Sequence, residues 1–390
     1  MAAIKKITAL AALTQAALAL PGTAAADVST DYLYSDYREG DISASRSASG
    51  RAAERYEIQS HLFRVVAPLG EQTLGLDLSY ETMSGASPWF VTPGADGKPV
   101  QVMSGASIRE ERIDAQGTWA LPLLGQRIAL SAGYSDEEDY RAINGGAELQ
   151  IDSGEALSWS AGVGYSDDRL EPTVGASSPD VIEHATRSTL TLYGGASLIL
   201  GESTIVQTSL SFGNNDGYLT DPYKRVYVES QSNTIAESRP DGRQSWALST
   251  KLRHNLASLG GALHVDYRYY QDDWKIRAHT LEIAWHQALG DTWRIAPALR
   301  WYSQSQAFFY EPYFEDFRDD GFASSDYRMS PFGALSARLD LTKTLFEHWA
   351  IGAGVEYYQA SGDYALKSVD IENPGLVEYL SLRARLSYRF

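Results

Sequence analysis

The chain has 390 residues, a formal net charge of −17 and no cysteine. The acidic balance argues against nucleic-acid binding, and the lack of cysteine excludes disulfides and thiol chemistry. Tyrosine and tryptophan are frequent, with 24 and 9 copies, yet the sequence has no run of the roughly 18 apolar residues that a membrane-spanning helix needs.

The first 26 residues are predicted to be a cleaved signal peptide. Lys5 and Lys6 precede an uncharged segment rich in Ala and Leu, 7–20, and three alanines at 24–26 supply the small residues that a peptidase requires. The apolar segment is too short to span a bilayer permanently. The alternative is a buried N-terminal helix. We expect the folded domain to comprise residues 27–390.

Apolar and polar side chains alternate along the rest of the chain, which predicts β-strands with two unlike faces. In segment 73–83, for example, Leu74, Leu76, Leu78 and Tyr80 alternate with small or polar residues. Most segments have the roughly 9–11 residues that a tilted membrane strand needs. The predicted strands are 28–37, 54–66, 73–83, 107–121, 126–135, 139–151, 157–169, 186–199, 203–214, 244–257, 261–272, 278–288, 292–305, 329–343, 347–360 and 376–390.

The links between these strands are alternately short, as at 122–125 and 201–202, and mostly longer, as at 215–243 and 306–328. Short periplasmic turns opposite long external loops are the rule in outer-membrane barrels, and an even strand number leaves both termini in the periplasm. Internal repeats, which a propeller would need, are not visible. The prediction is an all-β, transmembrane, antiparallel up-and-down β-barrel with about 16 strands, between 14 and 18.

The alternation also assigns side chains to the inner wall of the barrel. Arg268, Glu282 and Arg300 are expected across three adjacent strands. The inward charges form either cross-strand ion pairs that fill the lumen or a basic stripe that selects anions. The candidate lumen and selectivity residues are Arg268, Glu282, Arg300, Arg338, Arg383 and Arg385.

Two inward histidines, His264 and His286, are expected opposite each other. Imidazole pairs bind Zn or Cu, although such sites usually hold three or four ligands, and Asp266 is the obvious third. The ordinary alternative is a pair of lumen side chains without a metal. No other cofactor is expected.

Two external segments are acidic, 136–139 and 308–322. Carboxylate clusters bind hard cations such as Ca²⁺, but neither segment has EF-hand spacing, so solvated loop charge is expected. The aromatic residues within 308–322 favour a loop folded into the lumen or a contact surface.

The last segment places Leu386, Tyr388 and Phe390 on one face and Arg385, Ser387 and Arg389 on the other. This pattern is typical of the terminal strand of outer-membrane barrels, whose final aromatic residue the barrel-assembly machinery reads. The expected partners are therefore that machinery and outer-membrane lipid, with small solutes as the cargo.

Four loop phrases are more distinctive: 81–89, its echo 102–108, 216–224 and 237–243. Together with the terminal strand they resemble an uncharacterised bacterial outer-membrane β-barrel family, domain-of-unknown-function family 3570. The resemblance implies a barrel but no activity, and its members are often encoded near flavin-transfer and thioredoxin-like periplasmic proteins, which points to redox or metal handling. The candidate loop-motif residues are Ser84, Gly85, Trp89, Asp221, Pro222 and Tyr223.

No catalytic residues are predicted. The histidines nearest an outer rim, His61, His184 and His279, have no Ser-His-Asp context, and no Gly-x-Ser-x-Gly elbow occurs. About 16 strands leave an aqueous passage, so the sequence favours a porin-like channel for small solutes with mild anion preference. The alternatives are a loop-occluded binding or assembly component and, less favoured, an outer-membrane hydrolase.

Overall fold

A computed structural model describes residues 27–104, 108–173 and 181–390. The predicted signal peptide, residues 1–26, lies outside the described residues. Within these ranges, no helix is long and apolar enough to cross a membrane.

The described chain is almost entirely β-structure. Sixteen strands of 11 to 16 residues form one sheet. They are β1 (Ser29–Glu39), β2 (Glu57–Leu69), β3 (Gln72–Gly85), β6 (Ile108–Leu123), β7 (Gln126–Glu137), β8 (Tyr140–Ser153), β9 (Leu157–Leu170), β10 (Ala185–Leu200), β11 (Thr204–Gly217), β14 (Gly242–Leu256), β15 (Gly261–Asp272), β16 (Arg277–Leu289), β17 (Trp293–Gln304), β18 (Phe332–Leu345), β19 (Trp349–Ser361) and β20 (Glu378–Arg389). Two loop hairpins add β4 (Pro88–Pro93) with β5 (Pro99–Met103), and β12 (Arg225–Val228) with β13 (Asn233–Ala236).

Every sheet strand pairs antiparallel with its neighbours, and the first strand pairs with the last. β1 aligns with β20 from Ser29 opposite Arg389 to Glu39 opposite Tyr379. This pairing closes the sheet, so no edge strand is left with unpaired backbone groups. The prediction of a closed antiparallel barrel with about 16 strands is confirmed.

The outer surface of the barrel is apolar. Leu76, Trp159 and Ile283 are 43%, 50% and 47% exposed although they are large and hydrophobic. Such a surface is costly in water but suits lipid, where only every second strand residue needs to be apolar. The alternation that predicted the strands therefore also predicted which face meets the bilayer.

The two ends of the barrel differ. At one end, the turn end, the strands are joined by short turns such as 70–71 and 124–125. At the other, the loop end, five long loop segments of the described residues gather: L1 (40–56), L2 (86–104), L5 (218–241), L7 (305–331) and L8 (362–377). We call these loops together the loop cap.

The loop end contains most of the fully buried side chains of the described residues. Trp274 and Phe309 pack edge to face in one cluster, and Val226 packs with Phe314 in another. The apolar core therefore lies in and beside the loop cap, while the middle of the barrel is lined by polar side chains. The expectation that 308–322 folds inward or forms a contact surface agrees with the burial of Phe309 and Phe314.

Contacts between loops cross the mouth of the barrel. L5 reaches L2 on the far wall, where the Lys224 ammonium donates to the carbonyl oxygen of Pro88. L7 reaches the same loop through Tyr313, whose hydroxyl donates to the carbonyl oxygen of Gly97 at 3.2 Å. L8 joins L7 through Asn373, which is fully buried and donates to the Tyr310 hydroxyl at 2.9 Å. The loop cap thus extends over the lumen.

Candidate functional site: the lumen and its loop cap

A ladder of ion pairs runs along the inner wall of the last strands. The guanidinium of Arg338 lies 2.8 Å from Glu282 and 3.1 Å from Asp340. Asp340 is also 3.1 Å from Arg383 on the other side. Because each carboxylate faces an arginine, this part of the wall is close to electrically neutral, as the first of the two interpretations of the inward charges expects.

The ladder continues across the seam between the first and last strands. Arg385 of β20 lies 2.5 Å from Asp31 of β1. On the next strands Arg64 pairs with Asp77. These groups are partly exposed to the lumen, so each pair stabilises the wall by no more than about 1 kcal/mol.

Two predicted lumen arginines stand apart from the ladder. The sequence predicted Arg268, Glu282 and Arg300 across adjacent strands, and they do lie on β15, β16 and β17. Glu282 directly faces Arg300, as predicted, but Arg268 faces Thr280, and the Glu282 carboxylate binds Arg338 two strands away. Within the described residues, the structure records no carboxylate partner for Arg268 or Arg300, so their positive charges face the lumen.

Tyrosines form an arc around the lumen beneath the loop cap. Tyr358 stacks on Tyr379 with ring centroids 4.7 Å apart, and Tyr379 contacts Tyr37 across the seam at the same distance. Tyr302 and Tyr270 extend the arc along the wall towards β15. Each ring is on an inward position of its strand, a direction that follows from the alternation of side chains along a strand. The contacts between the rings depend in addition on the register in which the strands pair.

The two predicted histidines are neighbours, although not directly opposite, because His264 faces Ala284 and His286 faces Ala262. The rings of His264 and His286 lie with their centroids 4.0 Å apart. The proposed third ligand, Asp266, is held by two hydrogen bonds from Arg253, one of them 2.9 Å long. The two imidazoles are therefore adjacent, while Asp266 would have to leave Arg253 to act as the third ligand that the sequence suggested.

A cluster of six charged side chains joins L5 to L7. Arg239 lies 2.8 Å from Glu237 and 2.9 Å from Asp326, and Arg328 lies 3.0 Å from Asp221. All except Arg328 are buried. We call the group the buried ion cluster; it comprises Asp221, Lys224, Glu237, Arg239, Asp326 and Arg328.

Burial and neighbouring charge oppose each other in this cluster. Burial disfavours the charged form of Asp326, but Arg328, Lys224 and Arg239 outweigh it and hold its pKa well below 3.8. Burial is likewise outweighed at Asp221, mainly by Arg328, and its pKa is also lowered. Burial prevails at Glu237, whose pKa is raised above 4.5 despite Arg239.

Three of the predicted motif residues, Asp221, Pro222 and Tyr223, lie where L5 enters this cluster. Asp221 belongs to the cluster itself, and the Tyr223 hydroxyl donates to Asp139 at 2.7 Å. Sequence reasoning recognised the phrases but not the cluster. The sequence feature that could have indicated the cluster is the presence of three charged residues, Asp221, Glu237 and Arg239, within two motifs rich in turn-forming residues.

The other motif residues build the base of L2. Ser84, next to the last residue of β3, faces Arg109, and Trp89 is half-buried with its ring 5.1 Å from that of Phe90. Gly85 has φ of +117°, and a Cβ there would lie 2.1 Å from the carbonyl oxygen of Arg55. Only glycine fits this close approach of L1 to L2.

The expectation of solvated charge in segment 136–139 is wrong for two of its residues. Glu137 and Asp139 are buried, and with Glu110 they bring carboxylate oxygens within 4.8 Å of one another. Oxygen ligands of this kind suit a hard cation. Arg112 already lies 3.7 Å from Glu137, which lessens the negative charge of the group.

Two of the three outer-rim histidines lie in the aromatic surface of the barrel. His61 and His279 lie on different strands, and each bonds a tyrosine hydroxyl on the outer surface, Tyr32 at 2.8 Å and Tyr267 at 2.9 Å. Both groups belong to the aromatic girdle, where amphipathic rings meet the lipid headgroups.

Comparisons with known proteins agree with this architecture. A family model described as a protein of unknown function, DUF3570, matches residues 10–383. None of the curated proteins matches the chain in sequence.

Solved structures share the fold at very low sequence identity. CdiB from Acinetobacter baumannii has a TM-score of 0.51 at 9% identity, over 93% of this chain and 60% of that one. The outer membrane protein opdK from Pseudomonas aeruginosa has 0.40 at 10%, over 93% and 99%. The siderophore receptor PirA from Pseudomonas aeruginosa has 0.43 at 11%, over 85% of this chain, which spans only 55% of PirA. At such identities the likeness concerns the fold alone, and the closed antiparallel β-barrel is established by the strand pairing of this structure itself.

Proposed function

We propose that this chain, which belongs to the DUF3570 family of proteins of unknown function, is an outer-membrane channel for small solutes. In this proposal the loop cap controls the passage of the solutes. One observation carries the proposal: a lumen lined by charged and polar side chains leads to a cap made of the protein's own long loops. An apolar exterior with a polar interior is the arrangement of barrels that hold water.

The proposed orientation follows from the same rule. Short turns and both termini would lie in the periplasm and the loop cap outside the cell. Removal of residues 1–26 after export belongs to this proposal. Mass spectrometry of the protein purified from outer membranes tests export and cleavage together. A mature chain that retains residue 1 would contradict cleavage.

Conductance in a planar bilayer tests the channel. The refolded protein is compared with a variant in which residues 312–322 are replaced by a short Gly-Ser linker. The ends of this segment are close, because the amide of Glu311 donates to the carbonyl oxygen of Ser324 at 3.2 Å. We expect intermittent single-channel openings from the native chain and larger, steadier ones from the variant.

Silence from both folded proteins would contradict the channel. Silence from the native chain alone, with conductance from the variant, would favour a second candidate: a loop-occluded binding or assembly component. The observation behind that candidate is the dry packing of the loop cap, where Phe309 and Val226 have no exposed surface. Its link to periplasmic redox or metal handling rests on the family resemblance, and co-purification with a periplasmic protein would test it.

A further inference from the structure

A chamber lies between the underside of the loop cap and the inner wall. Its volume is about 440 Å³, within the range of small-ligand sites. L5 and L7 form its roof, with Pro222 and Met329 in its lining, and strands from β6 to β17 form its sides. The chamber therefore lies between the lumen and the loop cap.

Five arginines line the chamber, and four of them are already paired. Within the described residues, the structure records a carboxylate partner for every one except Arg268. The four ion pairs are Arg187–Asp168 at 2.8 Å, Arg239–Glu237 at 2.8 Å, Arg243–Asp272 at 2.5 Å and Arg328–Asp221 at 3.0 Å.

The neighbours of Arg268 explain why it has no such partner. Across the sheet it faces Ser249 on one strand and Thr280 on the other, neither of which carries a charge. Its guanidinium carbon lies 5.2 Å from the centre of the Tyr270 ring, a cation–π contact that orients the group without neutralising it. The Arg268 guanidinium is thus held in place by Tyr270, carries a positive charge that no carboxylate of the described residues neutralises, and offers several N–H donors.

The aspartates of the chamber lining already have partners: Asp221 pairs with Arg328, Asp139 accepts from the Tyr223 hydroxyl, and Asp114 lies 3.7 Å from Arg112. Asp168 accepts hydrogen bonds from Tyr140 at 2.6 Å, from Ser166 at 2.5 Å and from Arg187 at 2.8 Å. A cationic ligand at Asp168 would have to displace these donors, whereas an anionic ligand at Arg268 has, among the described residues, no carboxylate to displace. The electrostatics of the chamber therefore favour an anion.

Flat apolar surface lies beside the guanidinium. Tyr270 and Tyr302 line the chamber, and Tyr302 stands in the same cross-strand row as Arg268 and Thr280. A guanidinium fork matches the two oxygens of a carboxylate, and aromatic rings match a flat apolar body. We propose that the chamber binds small aromatic monocarboxylates, with Arg268 on the carboxylate.

This proposal rests on the proposed channel in one respect, that the ligand enters the chamber through the lumen. Binding is therefore measured directly, in an experiment that does not require ion conduction. The probe is benzoate, titrated calorimetrically into the folded protein in detergent at neutral pH. Neutral benzamide tests the need for charge, and acetate tests the need for the ring. We expect saturable benzoate binding that is at least about tenfold tighter than that of either analogue.

Arg268→Gln should weaken benzoate binding at least about tenfold, and Arg268→Lys, which keeps the charge but not the fork, should weaken it less. Arg141→Gln removes an arginine from the outer surface and should leave binding unchanged, and heat-modifiable gel mobility verifies that each variant is folded. Equal binding of benzamide, undiminished binding to Arg268→Gln, or loss only on Arg300→Gln would each overturn the assignment.

The two proposals fail separately. A protein that conducts ions but binds no benzoate overturns the chamber ligand and leaves the channel in place. A silent barrel that binds benzoate through Arg268 upholds the chamber ligand and removes the channel.

Discussion

Position 85 gives the sharpest steric constraint on a single residue. Gly85→Ala would put a methyl group 2.1 Å from the Arg55 carbonyl oxygen in a backbone conformation with φ of +117°. The left-handed backbone alone costs about 1–3 kcal/mol, and the overlap adds to it. We expect L1 and L2 to separate, measured as faster amide hydrogen exchange in both loops.

Gly97→Ala is the matched control. Gly97 also has a positive φ, +78°, but nothing lies within 4 Å of an added Cβ. The Gly97→Ala variant should show the free-energy cost of the left-handed backbone without the steric overlap. If Gly85→Ala speeds amide hydrogen exchange no more than Gly97→Ala does, the packing of L1 on L2 is contradicted.

The buried ion cluster makes Arg328 expensive to remove. Arg328→Met would leave Asp221 and Asp326 buried without their shared guanidinium, which typically costs about 3–5 kcal/mol. Limited proteolysis should then cut L5 and L7 while the strands stay intact. Arg318→Met serves as control, because Arg318 pairs two residues away with Asp320 in the same loop but at the surface, and it should change little.

Acid should loosen the same cluster. The pKa values of Asp221 and Asp326 are lowered from 3.8, so their contribution to stability is present above pH 3.8 and is lost as the pH falls through the folded values. Glu237 acts oppositely: its pKa is raised from 4.5, so its contribution is complete below pH 4.5 and is lost as the pH rises through the folded value.

Amide protection factors of L5 and L7, corrected for intrinsic exchange, should therefore fall between pH 4 and pH 2 in the native chain. Asp326→Asn should lower protection at pH 4 and flatten this dependence. Protection that rises towards pH 2 would contradict the charge states assigned to the two aspartates.

Between elements, one aromatic side chain of L7 packs against L5 in addition to the buried ion cluster. Phe314 is 3% exposed and packs on Val226, while Phe317 in the same loop is 54% exposed. Phe314→Ala should weaken the contact by about 3–5 kcal/mol through the cavity it leaves, and Phe317→Ala should have little effect. Hydrogen exchange of β12 and β13 measures the difference; equal effects would refute the interface.

The strands could be predicted from the sequence because each obeys a local rule. In β3 the alternation of Leu74, Leu76 and Leu78 with polar residues is imposed by lipid on one side and water on the other. The loop cap follows no such period. Lys224 meets Pro88 far away in the chain, so the residues that bury each other carry no local signal.

The candidate site likewise has a part that the sequence could predict and a part that it could not. Alternation along β15 to β20 assigned Arg338, Arg383 and Arg385 to the lumen and anticipated ion pairs there. It could not give their partners, because a cross-strand partner depends on register and side-chain reach. Glu282 therefore binds Arg338, two strands away, although Arg300 is its direct neighbour in the sheet.

For the whole molecule, the charges without carboxylate partners should set ion preference. Much of the wall is neutralised by ion pairs, so Arg268 and Arg300 leave a mild preference for anions. Arg300→Gln should shift the reversal potential in a KCl gradient towards cations. Arg385→Gln should do the same, because it leaves Asp31 exposed to the lumen.

Arg141→Gln changes the net charge equally but outside the barrel, where Arg141 is paired with Asp136. It should leave the reversal potential unchanged. A shift as large as that of Arg300→Gln would mean that the overall charge of the protein, and not its lumen, decides the preference.

The position of Asn373 has a consequence for biogenesis. This side chain lies in the loop between the last two strands, yet it bonds Tyr310 and the carbonyl oxygen of Ser325 inside the loop cap. Arg55, from the first loop, reaches the carbonyl oxygen of Gly375 in the same last loop at 3.0 Å. The cap is thus completed only when the final hairpin has arrived beside the first, and its resistance to protease marks a barrel whose insertion is finished.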